Sequence, residues 1–238
     1  MMNVAYHDNL PALEICQLGL VSYERGLEIQ RRLVAERQKG RISDMLLLLE
    51  HSHVITMGVS ARRNRENVLA SSDELIRRSV KVVEAPRGGD VTYHGPGQLI
   101  GYPILDLKPD RCDVHKYVRD LEEVIIRALG AYGINSVRIS GLSGVWIDNC
   151  KIAAIGVRLS RWITSHGFAL NVETNLDYFK LIRPCGIRGK GVTSVSAVTG
   201  QNLHTKDLIP VLAKEFGAVF DRSVTYTPDE LIRTLREG

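Results

Sequence analysis

Residues 13–21 carry closely spaced apolar positions and read as a first strand. Ser22 then offers a helix N-cap, and Glu24 suits the positive end of the helix dipole. That helix runs to about Gln38, with Leu27, Ile29, Leu33 and Val34 turned inward, and Gly40 stops it. The uniformly apolar run Met45-Leu46-Leu47-Leu48-Leu49-Glu50 predicts a buried central strand. After His51-Ser52-His53 and Val54-Ile55-Thr56-Met57-Gly58 comes an Arg-rich polar stretch, 61–67, expected to be a surface loop. Ser71 and Glu74 form a capping box for a short helix through Arg78, and 80–85 reads as a strand. A further strand covers 99–105. Val114, Tyr117, Val118, Leu121, Ile125 and Ala128 recur at helical spacing, giving the strongest helix in the chain, which ends at Gly130 or Gly133.

The pattern then turns to strands. Residues 144–147 and 151–157 flank Asp148-Asn149-Cys150, a hairpin signal, and 162–172 form a third strand. Helices are expected near 206–216 and 228–236, the second with Thr227 as N-cap, Pro228 at its first position and Glu230 closing the box. There is no internal repeat, low-complexity tract or clear linker. The expectation is an α+β fold in one domain spanning 1–238, with a mixed, antiparallel-rich sheet flanked by helices.

One stretch does not fit this alternation. Arg87-Gly88-Gly89-Asp90-Val91-Thr92-Tyr93-His94-Gly95-Pro96-Gly97-Gln98 holds four glycines and a proline, which exclude a helix. A flexible linker would carry Ser and Gly rather than Arg, Tyr and His. The run reads as a loop whose backbone can be approached closely, set with polar groups suited to a carbonyl or an acidic group. The alternative is a turn between two strands with His94 satisfied in the core.

Composition narrows the function class. The chain is 44% hydrophobic and 24% charged, so it can bury a full core. A net charge of +4 is too small for a nucleic-acid-binding tail and fits an acidic protein partner. No apolar run approaches the roughly 18 residues needed to cross a bilayer, and the N-terminus lacks a secretory signal. Neither a nucleic-acid nor a membrane partner is expected, and a cytoplasmic setting with free thiols is. Cys16, Cys112, Cys150 and Cys185 lack paired spacing, so no metal site is expected.

Among the cysteines, Cys185 has a distinct setting. Pro184 precedes it, Gly186 leaves room for an acyl group, and Arg183, Arg188 and Lys190 favour thiolate over thiol. A structural cysteine is the other reading. Lys151 opens an otherwise apolar strand. It either reaches solvent at a hairpin base or sets an ammonium against a thiol. Ser165-His166-Gly167-Phe168-Ala169-Leu170-Asn171 again places a histidine beside a glycine, and Gly167 and Ala169 would leave a slot for a linear apolar chain, unless they mark a strand packed closely on a neighbour. No phosphate-binding GxxxxGK[ST], GxGxxG or GxSxG run is present.

Arg87–Gln98 closely resembles the signature of the bacterial lipoyl(octanoyl) transferases. So do Gly144-Val-Trp-Ile followed by Lys151-Ile and Ile155-Gly-Val-Arg158, the run from Ser165 to Asn171, and Pro184-Cys-Gly186, over about residues 13–220. The resemblance implies a fold like that of the biotin and lipoate protein ligase catalytic domain. It implies transfer of an octanoyl or lipoyl group from acyl carrier protein to a lysine of a lipoyl domain, through a cysteine thioester. By the same resemblance, Cys185 is the nucleophile and Lys151 the base. Arg87 to His94, Ala154-Ile155-Gly156 and His166-Gly167-Phe168-Ala169 are the substrate-binding segments. The acceptors implied are the lipoyl domains of 2-oxoacid dehydrogenase complexes and the glycine cleavage H protein. A thioester is already activated, so no ATP, cofactor or metal is implied. Glycine-loop amides near His94 are expected to hold the oxyanion. Ala154 stands where the family commonly has serine. A ligase that adenylates a free acid, and a non-catalytic carrier-binding module, are the alternatives.

Overall fold

The computed structural model describes residues 10–61, 65–183 and 189–237. In chain order the strands are β1 (Ala12–Val21), β2 (Asp44–His51), β3 (Val54–Met57), β4 (Lys81–Glu84), β5 (Val91–His94), β6 (Gln98–Ile104), β7 (Val137–Ile139), β8 (Leu142–Ile147), β9 (Cys150–Ser160), β10 (Ile163–Asn171), β11 (Gly191–Val192) and β12 (Ser223–Tyr226). The α-helices are α1 (Tyr23–Gln38), α2 (Ser72–Arg77), α3 (Val114–Gly130), α4 (Val195–Thr199), α5 (Thr205–Phe220) and α6 (Asp229–Glu237). Short 3₁₀ turns cover Arg65–Asn67 and Leu176–Leu181.

The strands form a large sheet ordered β12-β1-β2-β6-β10-β9-β8-β7, with β11 on β9, and a small sheet ordered β4-β3-β5. In the large sheet β1 runs parallel to β2 and to β12, and β11 parallel to β9; the remaining pairings are antiparallel. The expected mixed, antiparallel-rich sheet is present, but it is joined by a second sheet. The β2–β6 pairing reaches Leu49↔Ile100, and the β3–β5 pairing resumes at Val54↔His94. One two-stranded ribbon therefore bends at 51–53 and 95–97 and contributes to both sheets.

Alternation of side chains sorts the two faces of the large sheet. Leu13, Ile15, Leu46, Leu48, Val145, Ile152 and Leu170 join α3 and α5 in one core. Cys16, Leu18, Met45, Leu47, Tyr102 and Ala169 face α1 and α6 in another. Gly19 (φ 63°) sits at the β1 register shift. Ser22 accepts from the Arg25 amide at 3.1 Å, as expected of an N-cap, and Ile29 and Leu33 are buried. Gly26 lets α1 pack onto His51, since a methyl group there would lie 2.8 Å from the ring.

Three expectations are corrected. Val91-Thr92-Tyr93-His94 is strand β5, because its β-forming residues pair with β3 through Met57↔Val91. Only its flanks are loop. The C-terminal third contains β12, which pairs in parallel with β1. Thr227 does not cap α6: its amide donates to the Ile15 carbonyl at 3.0 Å, and its side chain is buried beside Cys16. Of the expected Arg-rich loop, 62–64 lies outside the described residues.

Candidate active site

A cleft opens where the small sheet covers the α1 face of the large one. Its walls come from β5, β6, β8, β9, β10 and β11, and Tyr23 of α1, Lys151, Trp146 and Lys190 are among the lining residues.

The glycine-rich motif is pinned from both sides. Main-chain bonds run from Gly58 to Asp90 O, from Val59 to Arg87 O and from Ser60 to Gly89 O, while the Gly88 amide donates to Val157 O of β9 at 3.0 Å. Gly58 and Gly156 are needed for this approach. A methyl group at Gly58 would lie 2.3 Å from Gly89 O, and one at Gly156 would lie 3.0 Å from Gly88 O. Within the motif Arg87 is buried and donates to the Thr56 carbonyl (2.8 Å) and hydroxyl (2.7 Å). Asn67 donates to Asp90 Oδ2 at 2.6 Å, and Asp90 Oδ1 is buried with no hydrogen-bond partner among the described residues.

His94 is held by a polar chain. Its Nδ1 lies 2.8 Å from Gln98 Oε1, and the Gln98 amide nitrogen donates to Asn171 Oδ1 (2.9 Å) and to Tyr93 O (3.2 Å). Because Gln98 Oε1 can only accept, His94 carries its proton on Nδ1. Asn171 Nδ2 donates to Thr193 O, and the Thr193 amide donates to Lys151 O. Through the Thr193 main chain these bonds connect the motif to the Lys151 backbone carbonyl. Both readings of His94 meet here: it is satisfied in the core and also lines the cleft.

His51 packs edge-on against His94, with ring centroids 6.0 Å apart. It faces the Val21 carbonyl through Nδ1 (2.9 Å) and the Tyr102 hydroxyl through Nε2 (2.8 Å). His166 completes the group. Its φ of 55° is left-handed, and its amide donates to Gln30 Oε1 at 2.7 Å instead of to a neighbouring strand. Burial holds all three rings neutral. His51 is pushed down to about 4 by burial. His94 is pushed down to about 3 by burial, with His51 and Arg87 adding to it. His166 is pushed down to about 3 by burial, with Arg87 and Arg158 adding to it.

Lys151 is the second residue of β9, and its ammonium lies 4.8 Å from the centroid of Trp146, with Lys190 at 5.7 Å over the same ring. Ala154, Ile155, Gly156, His166, Gly167, Phe168 and Ala169 all line the cleft, as do Arg87, Gly89, Asp90, Val91, Thr92 and His94. Two motif residues do not. Gly88 lies against β9, and the Tyr93 ring packs behind with Phe179, its hydroxyl 2.7 Å from His53 Nδ1. The small residues also have a packing cause. A methyl group at Gly167 would come within 2.2 Å of Gly101 O, so glycine there sets the β10–β6 approach. The expectation for oxyanion donors narrows, because the Gly88 amide is committed to Val157 and the Gly97 amide to Glu50 Oε2.

Cys185, like Pro184, Gly186 and Arg188, lies outside the described residues. On one side of that segment the Arg183 amide donates to Asn67 O at 2.8 Å. On the other, Lys190, Gly191 and Val192 line the cleft. Sequence reasoning passed over Thr56, Tyr23 and Tyr102, which contact the site's residues from other strands and from α1 and carry no local motif. No group of metal-ligating side chains occurs among the described residues, and no described helix is long and apolar enough to cross a membrane.

Residues 22–217 match the model of the lipoyl protein ligase A/B catalytic domain. An octanoyltransferase of Koribacter versatilis is 50% identical over 219 residues, covering 90% of this chain and 86% of the relative. One of Solibacter usitatus is 53% identical over 205 residues, covering 86% and 91%. Among solved structures, a lipoate-protein ligase A bound with ATP superposes with a TM-score of 0.74 at 15% identity, covering 96% of this chain and 95% of the other. The biotin protein ligase of Aquifex aeolicus with biotin and ATP gives 0.53 at 15% identity, covering 88% and 70%. The two ligases share the fold. With these likenesses across nearly its whole length, the chain belongs to the lipoyl protein ligase A/B catalytic domain family and, within it, to the octanoyltransferases.

Proposed function

We propose that this protein is an acyltransferase of protein lipoylation, moving an octanoyl or lipoyl group from acyl carrier protein to a lysine of a lipoyl domain through a thioester on Cys185. The carrying observation is the position of Lys151: an ammonium held over Trp146 in the lining of an apolar cleft that Lys190, Gly191 and Val192, a few residues after Cys185, also line.

In the proposed sequence, the Cys185 thiolate paired with the Lys151 ammonium attacks the carrier thioester. The carbon–sulfur bond to the carrier breaks, one to Cys185 forms, and the departing carrier thiolate takes the Lys151 proton. The acceptor lysine then enters as its amine and attacks the Cys185 thioester. Its proton passes to Lys151, Cys185 leaves as thiolate, and an amide remains. The neutral histidines suit this chemistry, since an imidazolium beside the chain would disfavour an apolar ligand. The acceptors fitted to this reading are the lipoyl domains of 2-oxoacid dehydrogenase complexes and the glycine cleavage H protein, and the site of action is the cytoplasm.

Intact-mass spectrometry after mixing with octanoyl carrier protein tests the reading. It expects one octanoyl increment on the wild type and none on Cys185→Ser. ATP-dependent transfer of free octanoate that survives Cys185→Ser would instead make the protein a ligase. Carrier binding without any acyl increment would make it a binding module.

A further inference from the structure

Glu122 is fully buried on α3, on the opposite side of the large sheet from the cleft, and the proposed chemistry does not use it. A buried carboxylate is costly unless its oxygens are occupied. Here they are. Oε2 receives Arg119 Nη1 at 2.7 Å and Arg138 Nε at 3.1 Å, and Oε1 accepts the Gly144 amide at 2.9 Å. Arg119 is an ordinary i,i+3 partner. The bond to Gly144 is not ordinary, because it takes a strand amide and directs it into a helix side chain.

Gly144 has φ 110°, a conformation reserved for glycine. A methyl group there would come within 2.5 Å of Ala153 O, 3.3 Å of Lys151 Cε and 3.5 Å of Lys151 Cδ. The Lys151 stem therefore lies directly on the Gly144 backbone. The same stretch of β8 is irregular. The register shifts between Val145↔Ala153 and Trp146↔Lys151, and it is this shift that sets the Trp146 ring beneath the ammonium.

We infer that Glu122 is a positioning residue for Lys151: its carboxylate fixes the Gly144 backbone against which the Lys151 stem rests and so sets the ammonium over Trp146. The geometric claim stands on the contacts above. Its consequence for turnover rests on the proposed role of Lys151, and the experiment keeps the two apart.

The first readout is NMR of lysine side chains, with the Lys151 signal assigned by Lys151→Arg. With the ammonium 4.8 Å from the Trp146 centroid, the ring should shift the ε-methylene protons upfield in the wild type. Glu122→Gln keeps an oxygen for the Gly144 amide and should retain the upfield signal. Glu122→Leu removes that oxygen, and the signal should move to the position of a free lysine. Should the leucine variant fail to fold, Glu122→Asp carries the same expectation, because it keeps the charge but withdraws the oxygen from Gly144. The second readout is octanoyl transfer, where the leucine or aspartate variant should lose about 10²-fold in kcat with KM little changed, and glutamine should rescue it. An upfield Lys151 signal in the folded aspartate or leucine variant overturns the inference. A displaced signal with undiminished transfer upholds the positioning and overturns the role given to Lys151.

Discussion

Arg87 and Thr56 are locked together. One guanidinium nitrogen donates to both the carbonyl (2.8 Å) and the hydroxyl (2.7 Å) of Thr56, and Nε adds a longer bond to the same hydroxyl at 3.3 Å. The buried cation of the motif is thus fixed by the strand paired with β5. Thr56→Val keeps the shape and removes the hydroxyl. It should destabilise the protein by about 1–3 kcal/mol, because a buried charge loses an acceptor. Urea unfolding of the variant checks this, and a midpoint equal to the wild type's would contradict the assigned role of the hydroxyl.

The buried histidines predict a dependence of stability on pH. His51, His94 and His166 titrate from 6.5 in the unfolded chain to about 4, 3 and 3 when folded, chiefly through burial. Between those limits the unfolded chain binds more protons, so unfolding becomes easier as pH falls. Their contribution is complete above about pH 6.5 and declines as pH falls to about 4 for His51 and about 3 for His94 and His166, each unit of depression being equivalent to about 1.4 kcal/mol. Denaturant midpoints measured from pH 8 to pH 4 should fall across this window. Replacing His51 by glutamine should flatten the fall.

Thiol reactivity should divide the cysteines. Burial pushes the Cys16 thiol up to about 11, so iodoacetamide at neutral pH should leave it unmodified in the folded protein. Cys185, if paired with Lys151, should react well below the ordinary thiol value of about 8.5, and Lys151→Ala should move its profile upward. Peptide mapping after a timed pulse of reagent reads both residues at once.

Much of this was visible in the chain before folding. The periodicity of 114–128 and the unbroken apolar run at 45–49 gave α3 and β2 almost to the residue, because both are buried in ways that leave little choice of pattern. The composition of the glycine-rich motif marked out a stretch most of whose residues line the cleft. What stayed hidden depended on distance. Ser223–Tyr226 becomes a strand only because β1 offers an edge, and Thr227 faces inward because β1 takes its amide. Thr56, Gln30 and Glu122 support the site from separate elements, and no local spacing links them to it.

Gly167 offers a test of close packing. Alanine there would set its methyl 2.2 Å from the Gly101 carbonyl and 2.6 Å from Pro103 Cδ, so β10 must move off β6. Gly167→Ala should cost about 1–3 kcal/mol and should also distort the cleft, which β10 lines. Calorimetry and acyl-thioester formation should both report the loss.

The C-terminal helix should matter for stability and not for turnover. Leu235 is buried against the core on the α1 side, and Arg25 donates to the Leu235 carbonyl at 2.7 Å and the Arg236 carbonyl at 3.2 Å, yet α6 contributes nothing to the cleft. Truncation after Thr227 should lower the unfolding free energy by about 2–3 kcal/mol, the value of burying one such side chain, and leave kcat at 25 °C near that of the full chain.

The bent ribbon has a consequence for how a long tail could enter. Both of its strands pass from one sheet to the other side by side, and the bonds between them resume within a few residues of the bend. The bend itself is unpaired, but the Gly88 amide ties the loop before β5 to Val157 O of β9 at 3.0 Å, so the two sheets are fastened at a second point and parting them like jaws would break that bond. The spacing of the cleft walls is thereby clamped by main-chain bonds and glycine contacts and not by side chains alone.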